Sequence, residues 1–395
     1  MNRELALKIH AEHRGKIEIQ SKVELDTPDS LGLAYTPGVA EPCKEIQASP
    51  AKVYEYTAKG NLVAVVTDGS AVLGLGNIGP EAALPVMEGK AILFKKFANV
   101  DAFPICLATQ DVDEIVNTVK YLAPTFGGIN LEDISAPRCF EIERRLKQVL
   151  DIPVFHDDQH GTAIVVLAAL INSCKLIGKQ FTQITAVING AGSAGIAIAK
   201  LLLKFGLEDV IVCDRNGIIT PDSENLNWAK EEIAQITNKK GKKGDLKLAL
   251  EGADVFIGVS SANVLTSEMI AGMNPDSIVF ALANPIPEIM PDLALKAGAK
   301  IVGTGRSDFP NQINNVLAFP GVFRGALDVQ AREINDEMKI AAAYAISSLV
   351  DKSELKPEYI IPSPFDSRVA RAVANAVSEQ AIRTGVARRG EIILK

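Results

Sequence analysis

The stretch ITAVINGAGSAG, from Ile184 to Gly195, decides the fold of the C-terminal half of this chain. Its first half is an apolar run typical of a β-strand, and its second half has the spacing G-x-G-x-x-G, with Gly190 and Gly192 as the first two glycines. The next run, Ile196–Phe205, has the apolar spacing of a helix. In this setting the glycines permit a tight turn, a close approach of backbone to a pyrophosphate, and packing of helix on strand. The stretch therefore predicts a dinucleotide-binding loop.

The residues around the loop bear on the choice of cofactor. Asp214 ends the next predicted strand, near the offset of ~20 residues at which an acid binds the ribose hydroxyls of NAD. Because a carboxylate there repels a 2′-phosphate, we predict NAD, although Arg215 could reach a phosphate and leaves NADP open. A turn-forming Asp-Arg-Asn-Gly segment would explain both residues without a ligand. Ser193 and Ala194 complete the predicted cofactor contacts.

Short β-rich runs alternate with helical runs after this loop, which is typical of a doubly wound parallel sheet. We therefore predict an α/β fold with a Rossmann-like NAD-binding domain over residues 161–395. Its further elements are predicted as strands Asp209–Asp214, Asp254–Ser260, Ser277–Ala283 and Lys300–Gly303, and a long closing helix Val329–Val350.

The N-terminal part is less regular and predicts a separate α/β domain over residues 1–160. The junction is placed near Asp151–Gly161, where a proline and a polar stretch interrupt the apolar patterns. The predicted elements of this domain are strands Leu62–Thr67 and Ala102–Cys106 and helices Asp111–Leu122 and Ser135–Val149.

The composition favours a soluble protein with a small-molecule substrate. The chain has 395 residues, 47% of them hydrophobic, and a net charge of −7, which argues against a nucleic-acid surface. Its five cysteines form no Cys-x-x-Cys pair, so the sequence signals neither a disulfide framework nor a zinc site and fits a cytoplasmic location. No secretory signal is present at the N-terminus. The apolar run Thr162–Ile171 falls short of the ~20 residues of a membrane span and predicts a buried helix.

Two acidic pairs, Glu132-Asp133 and Asp157-Asp158, lie upstream of the glycine loop. Adjacent carboxylates repel each other, so a divalent cation is a natural reason to hold four of them in reach. Carboxylate oxygens without cysteine or a paired-histidine motif select Mg²⁺ or Mn²⁺ over zinc. The alternatives are a helix start with an acidic first turn for the first pair and a polar hinge for the second.

Three further strings, taken with these features, resemble the malic enzyme family in its short, bacterial-type form. The resemblance extends from about Leu31 to Asn315, and its motifs follow one another in the expected order. The strings are LGLAYTPGVA at 31–40, VTDGSAVLGLG at 66–76 and HDDQHGTA at 156–163.

The resemblance implies oxidative decarboxylation of L-malate to pyruvate and CO₂ with NAD(P) and a divalent cation. By similarity, Glu132, Asp133 and Asp158 would bind the cation, and Asp157 would lie beside these ligands. Lys90 matches the general base of the family, and Tyr35 matches the acid that protonates carbon 3 after CO₂ leaves.

Each of these assignments has a simpler alternative in the sequence itself. Lys90 precedes an apolar run, so we expect burial to lower the pKa of its amine, but a lysine next to glycine is otherwise a surface residue. Tyr35 could be a packed loop aromatic.

Three asparagines complete the predicted site. Asn284 follows a predicted strand at the edge where open α/β sheets bind ligands, and by resemblance it contacts malate and the cofactor. Asn314 and Asn315 match a family pair that holds substrate and nicotinamide. Larger family members carry an arginine for the malate carboxylate where this chain has Ala71, so backbone amides of Gly69–Gly76 could replace that contact.

Other functions remain open at this point. A family member could decarboxylate oxaloacetate without net redox chemistry, or retain NAD and release lactate, although malolactic enzymes resemble the longer family form. A non-catalytic nucleotide-sensing module would keep the glycine loop but would not need the acidic cluster and Lys90 together. The resemblance also implies a homodimer, in which the segment around Tyr35 could be lent across the interface.

Overall fold

Two β-sheets organise the chain, for which a computed structural model describes residues 3–72 and 74–390. The first sheet contains β1 (Leu62–Thr67), β2 (Asp101–Cys106), β3 (Gly128–Leu131) and β4 (Val154–His156). The second contains β5 (Thr185–Asn189), β6 (Asp209–Asp214), β7 (Gly217–Ile218), β8 (Val255–Gly258), β9 (Ile278–Ala281) and β10 (Ile301–Thr304).

Helices surround both sheets, and four short 3-10 helices lie at Pro50–Lys52, Ala58–Asn61, Phe181–Gln183 and Asn315–Leu317. The helices of the first half are α1 (Arg3–His13), α2 (Pro28–Ala34), α3 (Ala40–Ala48), α4 (Val53–Tyr56), α5 (Pro80–Ala98), α6 (Val112–Leu122), α7 (Arg138–Val149) and α8 (Asp157–Ile177). Those of the second half are α9 (Ser193–Phe205), α10 (Trp228–Ile236), α11 (Leu246–Leu250), α12 (Ser267–Ala271), α13 (Pro291–Lys296), α14 (Phe319–Asp328), α15 (Asp336–Ser348) and α16 (Val369–Arg383).

The first sheet is parallel throughout and has the order β2-β1-β3-β4. In its central strand β1, Val63 to Val66 are apolar and completely buried, as expected when helices cover a parallel sheet on both sides. In the register of the last pair, Leu131 lies beside His156. The residues that follow β3 and β4 therefore meet at one edge of the sheet.

The second sheet has the order β10-β9-β8-β5-β6-β7, and only the short β7 runs antiparallel to its neighbour. Strand β5 lies between β6 and β8, so the chain leaves β5 at the point where the strand order reverses. Ligands of open α/β sheets bind at this switch point. The predicted doubly wound fold is confirmed, and the glycine loop lies at its binding edge.

A long helix, α8, joins the two sheets. It has 21 residues, of which 15 are buried. By length and composition this helix could cross a membrane, but most of it is buried within the protein. The helix extends beyond the predicted Thr162–Ile171 at both ends, from Asp157 to Ile177. Because Asp157 and Asp158 are its first residues, the interpretation of this pair as a polar hinge is wrong. Residue 160, the predicted domain boundary, lies in its first turn.

Two predicted helices differ from those in the structure. The predicted helix Val329–Val350 is wrong over its first seven residues, since α15 begins only after Asn335, whose side chain accepts a hydrogen bond from the backbone N–H of Met338. The predicted helix Ser135–Val149 begins later, at Arg138, because Pro137 precedes it.

Candidate active site

The two acidic pairs meet at the carboxyl edge of the first sheet. Glu132 and Asp133 follow β3 directly, whereas Asp157 and Asp158 follow β4 as the first residues of α8. Oxygen atoms of Glu132, Asp133 and Asp158 lie within 4.8 Å of one another. The structure therefore brings together the three residues predicted to bind a cation.

The local geometry of this cluster fits a hard divalent cation. Asp133 has a left-handed backbone with φ of +53°, and its N–H donates to Asp158 Oδ2 at 2.8 Å. Asp133 is only 4% exposed, and its Oδ2 atom has no hydrogen-bond partner within residues 3–72 and 74–390. A buried carboxylate oxygen without a partner is unfavourable, and Mg²⁺ or Mn²⁺ would satisfy it.

Burial and mutual repulsion raise the pKa of each carboxyl group in the cluster. The pKa of Asp133 rises to about 9, first through burial and then through the charges of Asp158 and Glu132. Burial also raises the pKa of Glu132 to about 7, against the opposing effect of Lys90, and that of Asp158 to about 6. Without a cation, the folded protein therefore favours the protonated form of Asp133 at neutral pH.

Lys90 lies in the middle of this cluster and is buried, so the interpretation as a surface lysine is wrong. Its Nζ atom lies 2.6 Å from Asp157 Oδ2 and 2.9 Å from Glu132 Oε1. The same atom lies 4.2 Å from the ring centroid of Phe319. Burial lowers the pKa of the ammonium, but Asp157 and Glu132 more than offset it and hold the pKa above the ordinary value. The expected lowering of the Lys90 pKa is therefore wrong for this structure.

One cavity of about 340 Å³ joins the acidic cluster to the glycine loop. It lies between the two sheets, beside the first turn of α8. The predicted residues that line it are Asp133, Asp158, Gly192, Ser193, Ala194, Asn284, Asn314 and Asn315. The structure therefore brings the predicted cation, cofactor and substrate residues around one space, while their individual roles stay predictions.

Two glycines of the loop are required by the geometry. Gly190 has φ of +124°, and a Cβ atom on it would lie 2.5 Å from the carbonyl oxygen of Val259. A Cβ atom on Gly195 would lie 1.7 Å from the carbonyl oxygen of Gly190. The turn and the helix packing expected for this motif are therefore both present.

Asp214 and Arg215 line a neighbouring cavity of about 610 Å³ together with Gly190. The carboxylate of Asp214 already has two partners. Its Oδ1 atom accepts the N–H of Asn216 at 2.8 Å, and its Oδ2 atom lies 2.5 Å from Lys230 Nζ. Lys230 lies in no sequence motif, and its charge offsets the repulsion that Asp214 alone would exert on a 2′-phosphate.

The suggestion that backbone amides of Gly69–Gly76 hold the malate carboxylate finds little support. Ala71 does line the active-site cavity. However, the amides of six residues in this segment already donate within the protein, namely Gly69, Ser70, Ala71, Val72, Leu75 and Gly76. Gly74 also lines the cavity, and its amide is not among these six donors.

Tyr35 is not brought to the site. Its side chain is 67% exposed, and it lines neither the active-site cavity nor the neighbouring one in the described part of the chain. The helix before it, α2, has no buried residue. The interpretation of Tyr35 as a packed loop aromatic is therefore wrong.

Two positioning residues escaped the sequence analysis. The Arg138 guanidinium lies 3.0 Å from Asp68 Oδ2 and donates to Ser70 Oγ and Ser135 Oγ, both at 2.9 Å. It thereby fastens the segment after β1 to the segment after β3. A Cβ atom on Gly161 would lie 1.8 Å from Asp157 Oδ1, so this glycine makes room for the carboxylate that holds Lys90. Gly161 belongs to the HDDQHGTA string, so the sequence marked this residue but did not show that it makes room for Asp157.

The fold and the site define a class: a two-sheet α/β protein that places a carboxylate cation site against a dinucleotide-binding loop. Family models match both parts of the chain, "Malic enzyme, N-terminal domain" over residues 14–147 and "Malic enzyme, NAD binding domain" over residues 159–382. The chain belongs to the malic enzyme family.

Several relatives resemble the chain over most of its length. The "Bifunctional malic/malolactic enzyme" of Bacillus subtilis (strain 168) is 64% identical over 98% of this chain and 94% of its own length. The "NAD-dependent malic enzyme" of Geobacillus stearothermophilus is 59% identical, over 96% of this chain and 79% of the relative. An "NADP-dependent malic enzyme" of Rhizobium meliloti (strain 1021) is 49% identical, over 97% of this chain but 52% of the relative.

A solved structure supports the same fold. The malic enzyme of Pyrococcus horikoshii OT3 superimposes with a TM-score of 0.94 at 53% identity, covering 98% of this chain and 92% of its own. The Bacillus relative also corrects one expectation, because a protein named for malolactic activity matches this short chain over nearly its full length. The argument that malolactic enzymes resemble only the longer form is therefore wrong.

Proposed function

We propose that this chain catalyses the oxidative decarboxylation of L-malate to pyruvate and CO₂, with NAD preferred over NADP and with Mg²⁺ or Mn²⁺ as cation. The observation that carries the proposal is the cavity of about 340 Å³ that Asp133 and Asp158 share with Gly192 and Ser193. A substrate held there would contact both the cation site and the nicotinamide end of a dinucleotide. Oxaloacetate decarboxylation alone, or nucleotide sensing, would not require this arrangement.

The bound groups would supply the electrophilic chemistry of the reaction. A divalent cation on Glu132, Asp133 and Asp158 supplies a Lewis acid for the substrate oxygens, and NAD supplies the hydride acceptor. The residues of the chain then have to orient malate and move two protons.

Lys90 is the proposed acceptor of the malate hydroxyl proton. An ammonium between Asp157 and Glu132 must first lose its own proton, and these two carboxylates oppose that loss. Ligation of Glu132 by a cation removes part of the negative charge around Lys90 and so lowers the pKa of its ammonium. Asp157 keeps the amine in place through their contact of 2.6 Å.

Replacing Lys90 tests this role. Lys90→Ala should lower kcat by about 100-fold or more, the usual size of a general-base contribution, while the affinity for NAD stays nearly unchanged. Stopped-flow and steady-state kinetics measure kcat, and displacement of fluorescent NADH by NAD measures the affinity for NAD. Lys95→Ala is the matched control, because that lysine lies on the same helix with its side chain 55% exposed. Comparable turnover of the Lys90 variant would reject Lys90 as the base.

The basic assay follows the absorbance of the reduced nicotinamide with malate, Mn²⁺ and either NAD or NADP, and measures pyruvate in the same samples. We expect pyruvate and reduced cofactor in equal amounts, with NAD giving the higher kcat/KM. Pyruvate formed from oxaloacetate in a parallel sample, with no reduced cofactor formed from malate, would instead indicate plain decarboxylation.

Cofactor preference is the finer part of this proposal. Asp214 favours NAD, whereas Lys230 lies 2.5 Å from the same carboxylate and favours a phosphate. Asp214→Ser should therefore shift the ratio of kcat/KM values toward NADP. An unchanged ratio would exclude Asp214 from cofactor selection.

Malolactic conversion is a second candidate, favoured by the name of the Bacillus relative. In that reaction the hydride taken from carbon 2 of malate returns to carbon 2 of pyruvate, so lactate and CO₂ form without net reduction of NAD. Lactate measured alongside pyruvate separates the two outcomes.

We further propose a homodimer in which Tyr35 completes the site of the partner. Tyr35 is 67% exposed, and helices α1, α2 and α3 have no buried residue, although Leu7, Val23 and Leu33 on this segment are exposed and apolar. An exposed apolar surface of this kind is typical of a protein interface.

Mixing two inactive variants tests the shared site. When Tyr35→Phe and Lys90→Ala are unfolded together and refolded, half of the dimers are mixed and each contains one intact site, so about a quarter of the wild-type activity returns. No return of activity would place Tyr35 in the site of its own chain.

A cytoplasmic location is the remaining proposal. All five cysteines are free thiols, as expected in a reducing compartment. Fractionation of the producing cells, with detection of malate-dependent NAD reduction in each fraction, tests it.

A further inference from the structure

A second cavity, of about 750 Å³, lies beside the candidate active site on another side of the first turn of α8. Asp158 lines the active-site cavity, whereas the next two residues, Gln159 and His160, line the second one. Successive residues of a helix point in directions about 100° apart, so the two cavities lie on different faces of the same helical turn. The other walls of the second cavity come from α7, α9, α10 and α15. It therefore lies between helices that pack on different sheets.

The walls of this cavity include donor groups that have no acceptor within residues 3–72 and 74–390. Arg144 forms no ion pair within residues 3–72 and 74–390. The Nε2 atom of Gln159, a residue that is only 3% exposed, has no hydrogen-bond partner there either. Three lysines in the walls each have one close carboxylate: Lys147 with Glu143 at 2.8 Å, Lys200 with Glu232 at 2.9 Å and Lys339 with Asp336 at 3.1 Å. An ammonium can donate three hydrogen bonds and a guanidinium five, so donors remain for a ligand rich in acceptors.

The charges in the cavity walls also favour an anion, because four cations, Arg144, Lys147, Lys200 and Lys339, face three carboxylates, Glu143, Glu232 and Asp336. Lys339 is 6% exposed, and its pKa is lowered, first by burial and then by the positive charge of Lys147. Glu143 contacts both Lys147 and His160 at 2.8 Å, so it offsets the charge of Lys147 but leaves Arg144 without a carboxylate partner in the described part of the chain. A ligand with negative charge would relieve the repulsion between the lysines.

An aromatic wall completes the cavity. The rings of Phe140 and Trp228 lie edge to face with centroids 6.0 Å apart, and the Arg144 guanidinium lies 5.7 Å from the Trp228 centroid. Phe140 and Arg144 belong to α7, whereas Trp228 begins α10. The wall offers apolar surface to the body of a ligand whose charged groups meet the cations.

We propose that this cavity binds a small organic anion that carries two or more carboxylate or phosphate groups. Its volume lies in the range of ligand pockets, roughly 300–1,000 Å³. The ligand would bridge Arg144 and Lys147 on α7 to Lys200 on α9 and Lys339 on α15, and would accept from the unsatisfied amide of Gln159. This site is separate from the one proposed for malate, and its occupation can be measured without turnover.

Trp228 gives a direct probe, because the chain has one tryptophan. The protein is titrated separately with citrate and with inorganic pyrophosphate while Trp228 fluorescence is recorded. EDTA is present so that chelation of metal plays no part, and sodium chloride at matched ionic strength is the blank. A saturable change with citrate alone identifies a carboxylate site, and one with pyrophosphate alone a phosphate site. A response that sodium chloride reproduces, or no saturable response to either anion, overturns the proposal.

Arg144→Gln locates the binding. Loss of a hydrogen bond to a charged group should raise Kd about tenfold or more. Arg145→Gln is the matched control, since this neighbour pairs with Asp113 at 2.5 Å and does not line the cavity. Calorimetry repeats the measurement, because Arg144 itself contacts the reporting tryptophan. Equal Kd values for the two variants would place the anion elsewhere, at the glycine loop for example, and would reject this site.

Discussion

At the scale of single residues, the protonation of Asp133 connects the cation site to stability. Its pKa is about 9 in the folded protein, against an ordinary value of 3.8. A carboxyl group whose pKa rises on folding contributes stability below its unfolded pKa, and this contribution is lost as the pH rises toward the folded value. The window for Asp133 therefore lies between these two values.

The free energy of unfolding of the cation-free protein should consequently fall as the pH rises from roughly 5 to 9, by up to about 1.4 kcal/mol per pH unit for one proton. Asp133→Asn removes the contribution of Asp133 to this pH dependence of the unfolding free energy. Mn²⁺ must displace the protons, so its stabilising effect should grow with pH. Urea unfolding in EDTA and in Mn²⁺ measures both effects. An identical pH slope in wild type and variant would show that Asp133 ionises normally.

Gly161 makes a second prediction at this scale. In Gly161→Ala, the new methyl group would lie 1.8 Å from Asp157 Oδ1 and displace the carboxylate that holds Lys90. We expect kcat to fall about tenfold or more with little change in the Kd of NADH. Gly89→Ala is the control, because it lies next to Lys90 and has only Lys16 Nζ within 4 Å, at 3.8 Å. Equal activities of the two variants would contradict the role given to Gly161.

The sequence identified the residues of the cation site but did not show which of them are protonated. Glu132, Asp133, Asp158 and Lys90 were predicted by resemblance, and the structure places them together. The protonation of Lys90 could not be predicted, because local sequence shows only the apolar run beside it. Its partner Asp157 lies 67 residues further along the chain, so the fold alone reveals the ion pair.

At the scale of elements, two glycines of the loop between β5 and α9 have different functions. A Cβ atom on Gly195 collides with the backbone of Gly190, whereas one on Gly192 meets nothing within 4 Å. Gly195→Ala should therefore lower both the free energy of unfolding and the affinity for NADH. Gly192→Ala should lower the affinity alone, because its backbone faces the cavity. Denaturant unfolding and NADH titration of both variants test this difference, which equal destabilisation would contradict.

The same scale shows where patterns in the sequence were insufficient. The predicted strand Leu62–Thr67 agrees with β1, and Asp209–Asp214 agrees with β6. Strands β3 and β4 were missed because they have only four and three residues, all buried, and short apolar runs show no period. These two strands carry the acidic pairs, so the sequence predicted the ligands without the elements that position them.

At the scale of the whole molecule, one apolar core extends across both sheets. It includes Val63 and Phe155 of the first sheet, Ile188 of the second, and Phe319 and Phe323 of α14. Helix α14 follows the second sheet in sequence but packs on α5 of the first. The division into domains at residue 160 stays a prediction. Because this core is shared, we do not expect residues 1–160 to fold alone.

Phe323→Ala tests this shared core. The ring is completely buried and lies 5.3 Å from Phe94 and 5.8 Å from Phe155, centroid to centroid. We expect a loss of about 3–5 kcal/mol of unfolding free energy and a single transition seen alike by circular dichroism and Trp228 fluorescence. Phe365→Ala, at a residue 82% exposed, should change stability by less than about 1 kcal/mol. Two separate transitions would show that the sheets unfold independently.

The exposed N-terminal helices have a consequence for the rate law. If a neighbouring copy must deliver the Tyr35 hydroxyl, a dissociated subunit is inert, and activity per milligram falls once dilution separates the pairs. At low enzyme the velocity would then rise with the square of protein concentration, and progress curves begun from a concentrated stock would slow as the diluted dimers separate. Cells that produce little of this protein would thus obtain disproportionately little flux from it.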